Sequence, residues 1–483
     1  MLYARIVCDI GKSFRLSGWI LLNCFRAKRD CVFCRAGGGL FPRDGRKGGR
    51  CLLKRLIWLL LSMMLLLCGC ARSSADETLY RLPRLPVEYE SLEQLIDALV
   101  EAGAEYAAPT SGSNLQSVQM VDLDGDGEEE AVAFFRRGAD ERPMKIYVFR
   151  TAGDSYEQFC VIEGTSNSIY SVNYVDINGD GWREIFAGIR SDLDVQNLAV
   201  YSLADGTPKQ LLVTGYSRYA AQDLDGDGSQ DLIVVRSDEE NYAMADYYAW
   251  DGAELTLRSS LRLSGTVAEL SRLTAGTLAG GESALFITSV AEDSAAMTDI
   301  LTVDGGSLHS VSSGRGSVFR FLDLYPLDVD GDGVTEVPQP VPYPQRDLQG
   351  TVYYRVCWLQ YDAAGSSVVV RETYQDTQGG WSLLLPESWG SGVTISRNAG
   401  ADGSSVTFYS LRDGNTRAFM TIFAFTGVNR TMAAARNGRV VLSRQADVTY
   451  AAELYEGSEE LFDEMALRER FSLIAAEWTT GEN

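Results

Sequence analysis

Histidine is almost missing from this chain: His309 is the single one among 483 residues. A Ser-His-Asp or Cys-His relay needs an imidazole beside its nucleophile, so no such relay is readily assembled here. No glycine-rich loop sits between a strand and a helix in the way that cradles phosphate. Net positive charge is lacking too, since 43 Lys+Arg face 66 Asp+Glu for a balance of −23. The imbalance is uneven: residues 1–69 hold 13 Lys+Arg and 3 Asp+Glu, which leaves −33 for residues 70–483. A body this acidic repels phosphate backbones, which excludes nucleic acid as a partner, and it attracts cations.

What is present points to β-structure. Hydrophobic residues make up 45% of the chain, enough for a sizeable core, and 47 glycines with 23 tyrosines favour turn-rich sheets over helical bundles. The length predicts two or three domains.

Near the start, Lys54-Arg55 precedes an apolar run from Leu56 to Leu67 that ends in Cys68-Gly69-Cys70. A basic pair, an apolar stretch shorter than the roughly 20 residues of a bilayer span, and small residues at its end make an export signal over residues 51–69. The end of that segment resembles the lipobox of bacterial lipoproteins. The resemblance implies that Cys70 is diacylated, becomes the new N-terminus and anchors the exported protein to the outer face of the cytoplasmic membrane or a periplasmic membrane face. Residues 1–50 do not fit a signal peptide and are expected to be an extension from a start codon placed too early. Arg46-Lys47-Gly48-Gly49-Arg50 is what a purine-rich ribosome-binding sequence encodes when translated. Cys31 and Cys34 have the spacing of half a zinc site, but no second pair accompanies them. Beyond Cys70 the cysteines are Cys160 and Cys357, expected to be buried thiols.

The clearest signal is a repeat. Asp122–Glu130, Asp176–Glu184, Asp223–Asp231 and Asp328–Glu336 share one nine-residue pattern, and Gly276–Ala284 keeps the register without the acids. The starts at 122, 176, 223, 276 and 328 are separated by 54, 47, 53 and 52 residues. An apolar-alternating stretch leads into each loop and three runs rich in Val, Ile, Tyr and Phe follow it with Gly, Asp and Ser between them, four strand-like stretches per unit. The expected fold class is all-β, a β-propeller of about five four-stranded blades over residues 105–375, with an open array or a β-sandwich as the alternative. A tether at 70–90 and a short helix at 91–104, capped by Ser91 and stopped by Gly103, precede it. Residues 378–483 are expected to form a separate small α+β domain, with a Ser458-capped helix presenting Leu467, Phe471, Ile474 and Trp478.

The loop chemistry follows from spacing. Side-chain oxygens at positions 1, 3 and 5 converge only if the backbone curls tightly, and glycines at positions 4 and 6 permit that curl. An acid at position 9 closes the site and position 7 offers a carbonyl, a donor set suited to calcium. These loops resemble the DxDxDGxxD signature of FG-GAP/VCBS repeats, the blades of integrin-α-type propellers. The resemblance implies calcium held by Asp122, Asp124, Asp126, Glu130 and the Glu128 carbonyl. It further implies Asp176, Asn178, Asp180, Glu184 and the Trp182 carbonyl in the second loop, and Asp223, Asp225, Asp227, Asp231 and the Ser229 carbonyl in the third. In the last loop it implies Asp328, Asp330, Asp332, Glu336 and the Val334 carbonyl.

The functional expectation is a lipid-anchored calcium-binding module for adhesion, ligand binding or structure, with a glycan or protein ligand and no catalysis. Tyr216, Tyr219, Tyr242, Tyr247, Tyr248 and Trp250 are either rim aromatics that stack on a ligand or ordinary strand aromatics. The alternative is a polysaccharide-acting lyase or hydrolase using paired carboxylates.

Overall fold

The computed structural model describes residues 87–166, 168–190, 196–311, 319–320, 323–344, 350–411, 416–456 and 463–474. Met1–Arg84 and Leu85–Asn483 are separate units, and the described residues all belong to the second. The extension, the export signal, Cys70 and most of the tether lie outside the described residues.

Among the described residues six antiparallel sheets follow one another along the chain. The first joins Val118–Val121, Glu130–Arg136, Met144–Ala152 and Ser155–Gly164, with Glu105–Tyr106 added beside its second strand. The second joins Ser168–Val175, Glu184–Arg190, Gln196–Ser202 and Lys209–Gly215. The third is Arg218–Gln222, Asp231–Ser237, Tyr242–Trp250 and Leu255–Thr266. The fourth is Leu270–Thr277, Ser283–Val290, Ala295–Asp304 and Ser307–Ser310. Each of these four is an up-and-down meander, the strand order of a propeller blade.

The second strand of each meander is apolar on both faces because both faces are covered. Ala131 to Phe135 are all fully buried, and alternate residues enter different cores. Val132 and Phe134 meet Val172 and Ala187 of the second sheet, whereas Ala131, Ala133 and Phe135 meet a helix, α1, at Val87–Glu101. Phe186, Val200, Tyr219 and Val234 fill the space between the second and third sheets. Val235, Tyr247, Leu285 and Ile287 fill the next, and Phe286, Ile300, Val337 and Leu359 join the fourth sheet to the fifth. No core cluster among the described residues joins the first sheet to the last, so these contacts describe a face-to-face series.

The fifth unit departs from expectation. Phe319–Arg320 pairs with Ala295–Ala296 of the fourth sheet, and a single bridge between Leu327 and Glu336 stands where the four-strand repeat calls for a first strand. The fifth sheet runs Val337–Pro342, Tyr354–Tyr361, Ser367–Asp376, Trp381–Leu384 and Phe471–Leu473. The division expected between residues 375 and 378 therefore falls inside one sheet. Residues 378–483 also supply the sixth sheet, ordered Val393–Gly400, Gly403–Ser410, Arg417–Phe425, Thr449–Leu454 and Val440–Arg444, which packs on the fifth through Tyr374, Trp381, Phe408 and Ile422.

The helices are corrected in detail. α1 begins before Ser91, whose hydroxyl instead accepts the Tyr156 N–H at 2.7 Å and pins the helix to the first sheet. Gly103, at φ 90°, ends it as expected. The one-turn α2 covers Arg430–Ala434. α3 covers only Glu464–Arg470, is capped by Asp463, and gives way to strand at Phe471; Ser458 and Trp478 lie outside the described residues. Cys160 and Cys357 are free and buried, and burial pushes the Cys160 thiol up to about 12. No described helix is long and apolar enough to cross a membrane.

Phe286 is fully buried between the fourth and fifth sheets. Phe286→Ala is expected to cost about 3–5 kcal/mol, read as a lower urea midpoint at unchanged slope.

Candidate metal centres

The first three acidic loops link the first to the second strand of a unit, the last lies between the bridged residues Leu327 and Glu336, and one set of hydrogen bonds shapes each. The position 4 N–H reaches the position 1 carboxylate in every loop, as in Gly125 to Asp122 at 2.8 Å and Gly331 to Asp328 at 2.6 Å. The position 7 N–H reaches the position 5 carboxylate, as in Glu128 to Asp126 at 2.7 Å. The position 2 N–H reaches the closing acid, as in Leu123 to Glu130 at 2.8 Å and Val329 to Glu336 at 2.7 Å. The glycines at positions 4 and 6 have φ between 72° and 92°, so the predicted curl is present.

These bonds occupy part of each carboxylate and leave oxygens to converge. Ligand atoms of Asp122, Asp124 and Glu130 lie within 4.8 Å of one another, as do those of Asp223, Asp225 and Asp231, and of Asp328, Asp330 and Asp332. Asp330 keeps one oxygen, Oδ1, buried with no donor. Groups of hard oxygens, one with an orphaned acceptor, fit a divalent cation such as calcium or magnesium better than zinc. In the second loop Asn178 donates from Nδ2 to Asp180 at 3.0 Å and to Glu184 at 3.2 Å, which ties the loop across its centre. Gly276–Ala284 passes from one strand to the next through a turn closed by Leu278 N–H to the Glu282 carbonyl at 2.8 Å.

The loops touch their neighbours. Arg183 N–H of the second loop donates to the Leu123 carbonyl of the first at 2.7 Å, and Thr335 N–H of the last donates to the Thr277 carbonyl at 2.9 Å. The position 2 side chains Leu123, Ile177 and Leu224 are buried in the core that each unit shares with the next. Loop shape and sheet packing are thereby one problem.

Burial dominates the electrostatics of the closing acids. Desolvation raises the pKa of Glu130, Asp231 and Glu336, opposed by the position 2 N–H and assisted by the neighbouring aspartates. Glu184 is pushed up to about 7 by burial, against the Ile177 N–H and the Ser202 hydroxyl, which lower it. Asp328 goes the other way: desolvation favours its neutral form, but several backbone N–H groups outweigh that and hold it below the usual carboxylate range.

Sequence reading missed the groups that lean into these loops from the following strands. Ser202 lies one residue beyond the Ile185–Tyr201 pair and Gln360 one beyond the Val337–Leu359 pair, so both stand across from a closing acid. Gln360 donates to Glu336 at 2.8 Å, and the Tyr247 hydroxyl donates to Asp231 at 2.9 Å. A strand register would have pointed to Ser202 and Gln360; composition alone does not. Of the six aromatics that read as either rim or strand residues, Tyr216, Tyr219, Tyr247 and Tyr248 are core residues, at most 8% exposed, and Tyr242 stacks under Arg262 at 3.7 Å. Tyr219, Tyr242, Tyr247, Tyr248 and Trp250 are strand aromatics, and Tyr216 follows the end of Lys209–Gly215.

No protein-family model matches the sequence, and no curated protein matches it. Solved structures similar to the chain include the periplasmic gluconolactonase of Pseudomonas aeruginosa, at 12% identity and TM-score 0.27 over 64% of this chain and 85% of that one. An exo-β-1,3-galactanase from Phanerochaete chrysosporium matches at 10% identity and TM-score 0.25, over 67% and 80%. A putative 6-phosphogluconolactonase from Bacteroides fragilis matches at 11% and 0.24, over 63% and 83%. The expectation that the chain is not an enzyme is corrected here, because these similar structures are named as enzymes. A scarcity of histidine excludes relays built on it and leaves carboxylate chemistry untouched. Likenesses this distant transfer no reaction to the chain.

A pH prediction follows from Glu184. Without a cation the folded protein holds this proton to about pH 7, whereas the unfolded chain releases it near 4.5. The folded state is favoured below the lower value and loses that advantage as pH rises through the window. Glu184→Gln is expected to flatten the fall in melting midpoint of chelator-treated protein between about pH 5 and 7.

Proposed function

We propose that this chain is an exported, lipid-anchored, propeller-type β-repeat protein in which calcium holds successive blades together and the outer surface engages a glycan or protein. The observation that carries the reading is the convergence of three carboxylates in each of three loops, those of the first, third and fifth units. Under it the ligands are those of the four nine-residue loops, Cys70 carries the lipid, and the extracytoplasmic location follows from that anchor.

Calcium here stabilises structure. Extracellular modules bind it with Kd of about 10⁻⁴–10⁻³ M, and at roughly ten times Kd each site adds about 1.4 kcal/mol. Two or more filled loops would add a large share of a domain's margin. Turnover of a polysaccharide on the same scaffold is the alternative, and a galactan and lactone activity screen beside a glycan-binding array separates the two.

The calcium reading predicts that millimolar calcium raises the melting midpoint of the full-length chain by several degrees over chelator, with magnesium less effective. Asp223→Asn is expected to reduce that gain, and equal midpoints in calcium and chelator would remove the reading.

A further inference from the structure

We infer that the last acidic loop carries its own counter-ion, Arg371 together with the Gln360 amide, which competes with calcium there. This rests on the calcium reading above and makes the four loops unequal.

Arg371 lies on Ser367–Asp376 of the fifth sheet, opposite Trp358, and its Nε donates to Asp330 Oδ2 at 3.2 Å. Gln360 Nε2 donates to Asp332 Oδ2 at 2.9 Å and to Glu336 Oε1 at 2.8 Å. Three of the loop's carboxylates are thus met by N–H donors from neighbouring strands. Among the described residues, no other loop acid has a lysine or arginine partner.

The last loop also differs in which acids converge. In the first and third loops the converging acids are those at positions 1, 3 and 9; in the last they are Asp328, Asp330 and Asp332, at positions 1, 3 and 5. Glu336 is not in that group, and its two oxygens accept from the position 2 N–H of Val329 and from the Gln360 amide. A guanidinium keeps its charge at every accessible pH, so the competition cannot be titrated away. For calcium to gather these oxygens, the amide must turn and the guanidinium must move aside. Both costs subtract from affinity at this loop, whereas the first and third loops have no cation of their own to displace. The orphaned Oδ1 of Asp330 leaves the loop able to take an ion once the competitor is gone.

Calcium calorimetry on the full-length chain in detergent tests this with wild type, Arg371→Met, Gln360→Leu and the double variant Arg371→Met/Asp328→Asn. Removing the guanidinium is expected to tighten one site about tenfold or to make a further site measurable. Gln360→Leu is expected to move in the same direction, and Asp328→Asn to abolish the gain. In chelator both single variants should melt below wild type, because the acids lose their donors, and calcium should restore them. The inference is overturned if wild type binds calcium while both single variants bind no more tightly, or if the gain survives Asp328→Asn. Absence of uptake by wild type counts against the calcium reading itself, and absence of uptake by Arg371→Met as well removes both.

Discussion

A buried carboxylate at the start of a strand is the constraint on which this molecule turns. Glu130, Glu184, Asp231 and Glu336 are at most 5% exposed, and each accepts the N–H of the second residue of its own loop. In three loops that second residue drives its side chain into the core shared with the next sheet. A buried acid, a tight loop and an inter-sheet core are therefore locked together. Burying several like charges at such a point is costly unless a cation compensates them. Each unit of this chain solves that problem, and the solutions differ.

The differences are instructive. The first and third loops leave their carboxylates facing one another, the second places an asparagine amide between two of them, and the last borrows an amide and a guanidinium from the fifth sheet. The degenerate Gly276–Ala284 loop has given up the acids, and Thr335 packs where a side chain on Gly276 would stand. A series of sheets can thus keep one loop path while exchanging facing carboxylates for internal hydrogen bonds.

Much of this was legible in the residues. The spacing of aspartate and glycine placed all four loops and their left-handed glycines, and the apolar runs after them placed the strands, because both patterns are local. The fifth unit was misjudged for a non-local reason. Its fourth strand, Trp381–Leu384, and its edge, Phe471–Leu473, come from a stretch whose rhythm differs from the repeat, and only tertiary pairing assigns them to that sheet. Ser91 looked like a helix cap because its neighbours suit one, yet a contact with Tyr156, far along the chain, decides its role. The tyrosines near residue 245 could be read as surface or core from sequence, and the registers of the second and third sheets make most of them core.

The central claim is that oxygen-lined loops hold a divalent ion between strands. A crystal structure grown in calcium tests it most directly. The account predicts a strong density peak in the first and third loops with six to eight oxygens at about 2.3–2.6 Å, the closing acid among them. Density at water level in both loops, with the acids splayed apart, would contradict it.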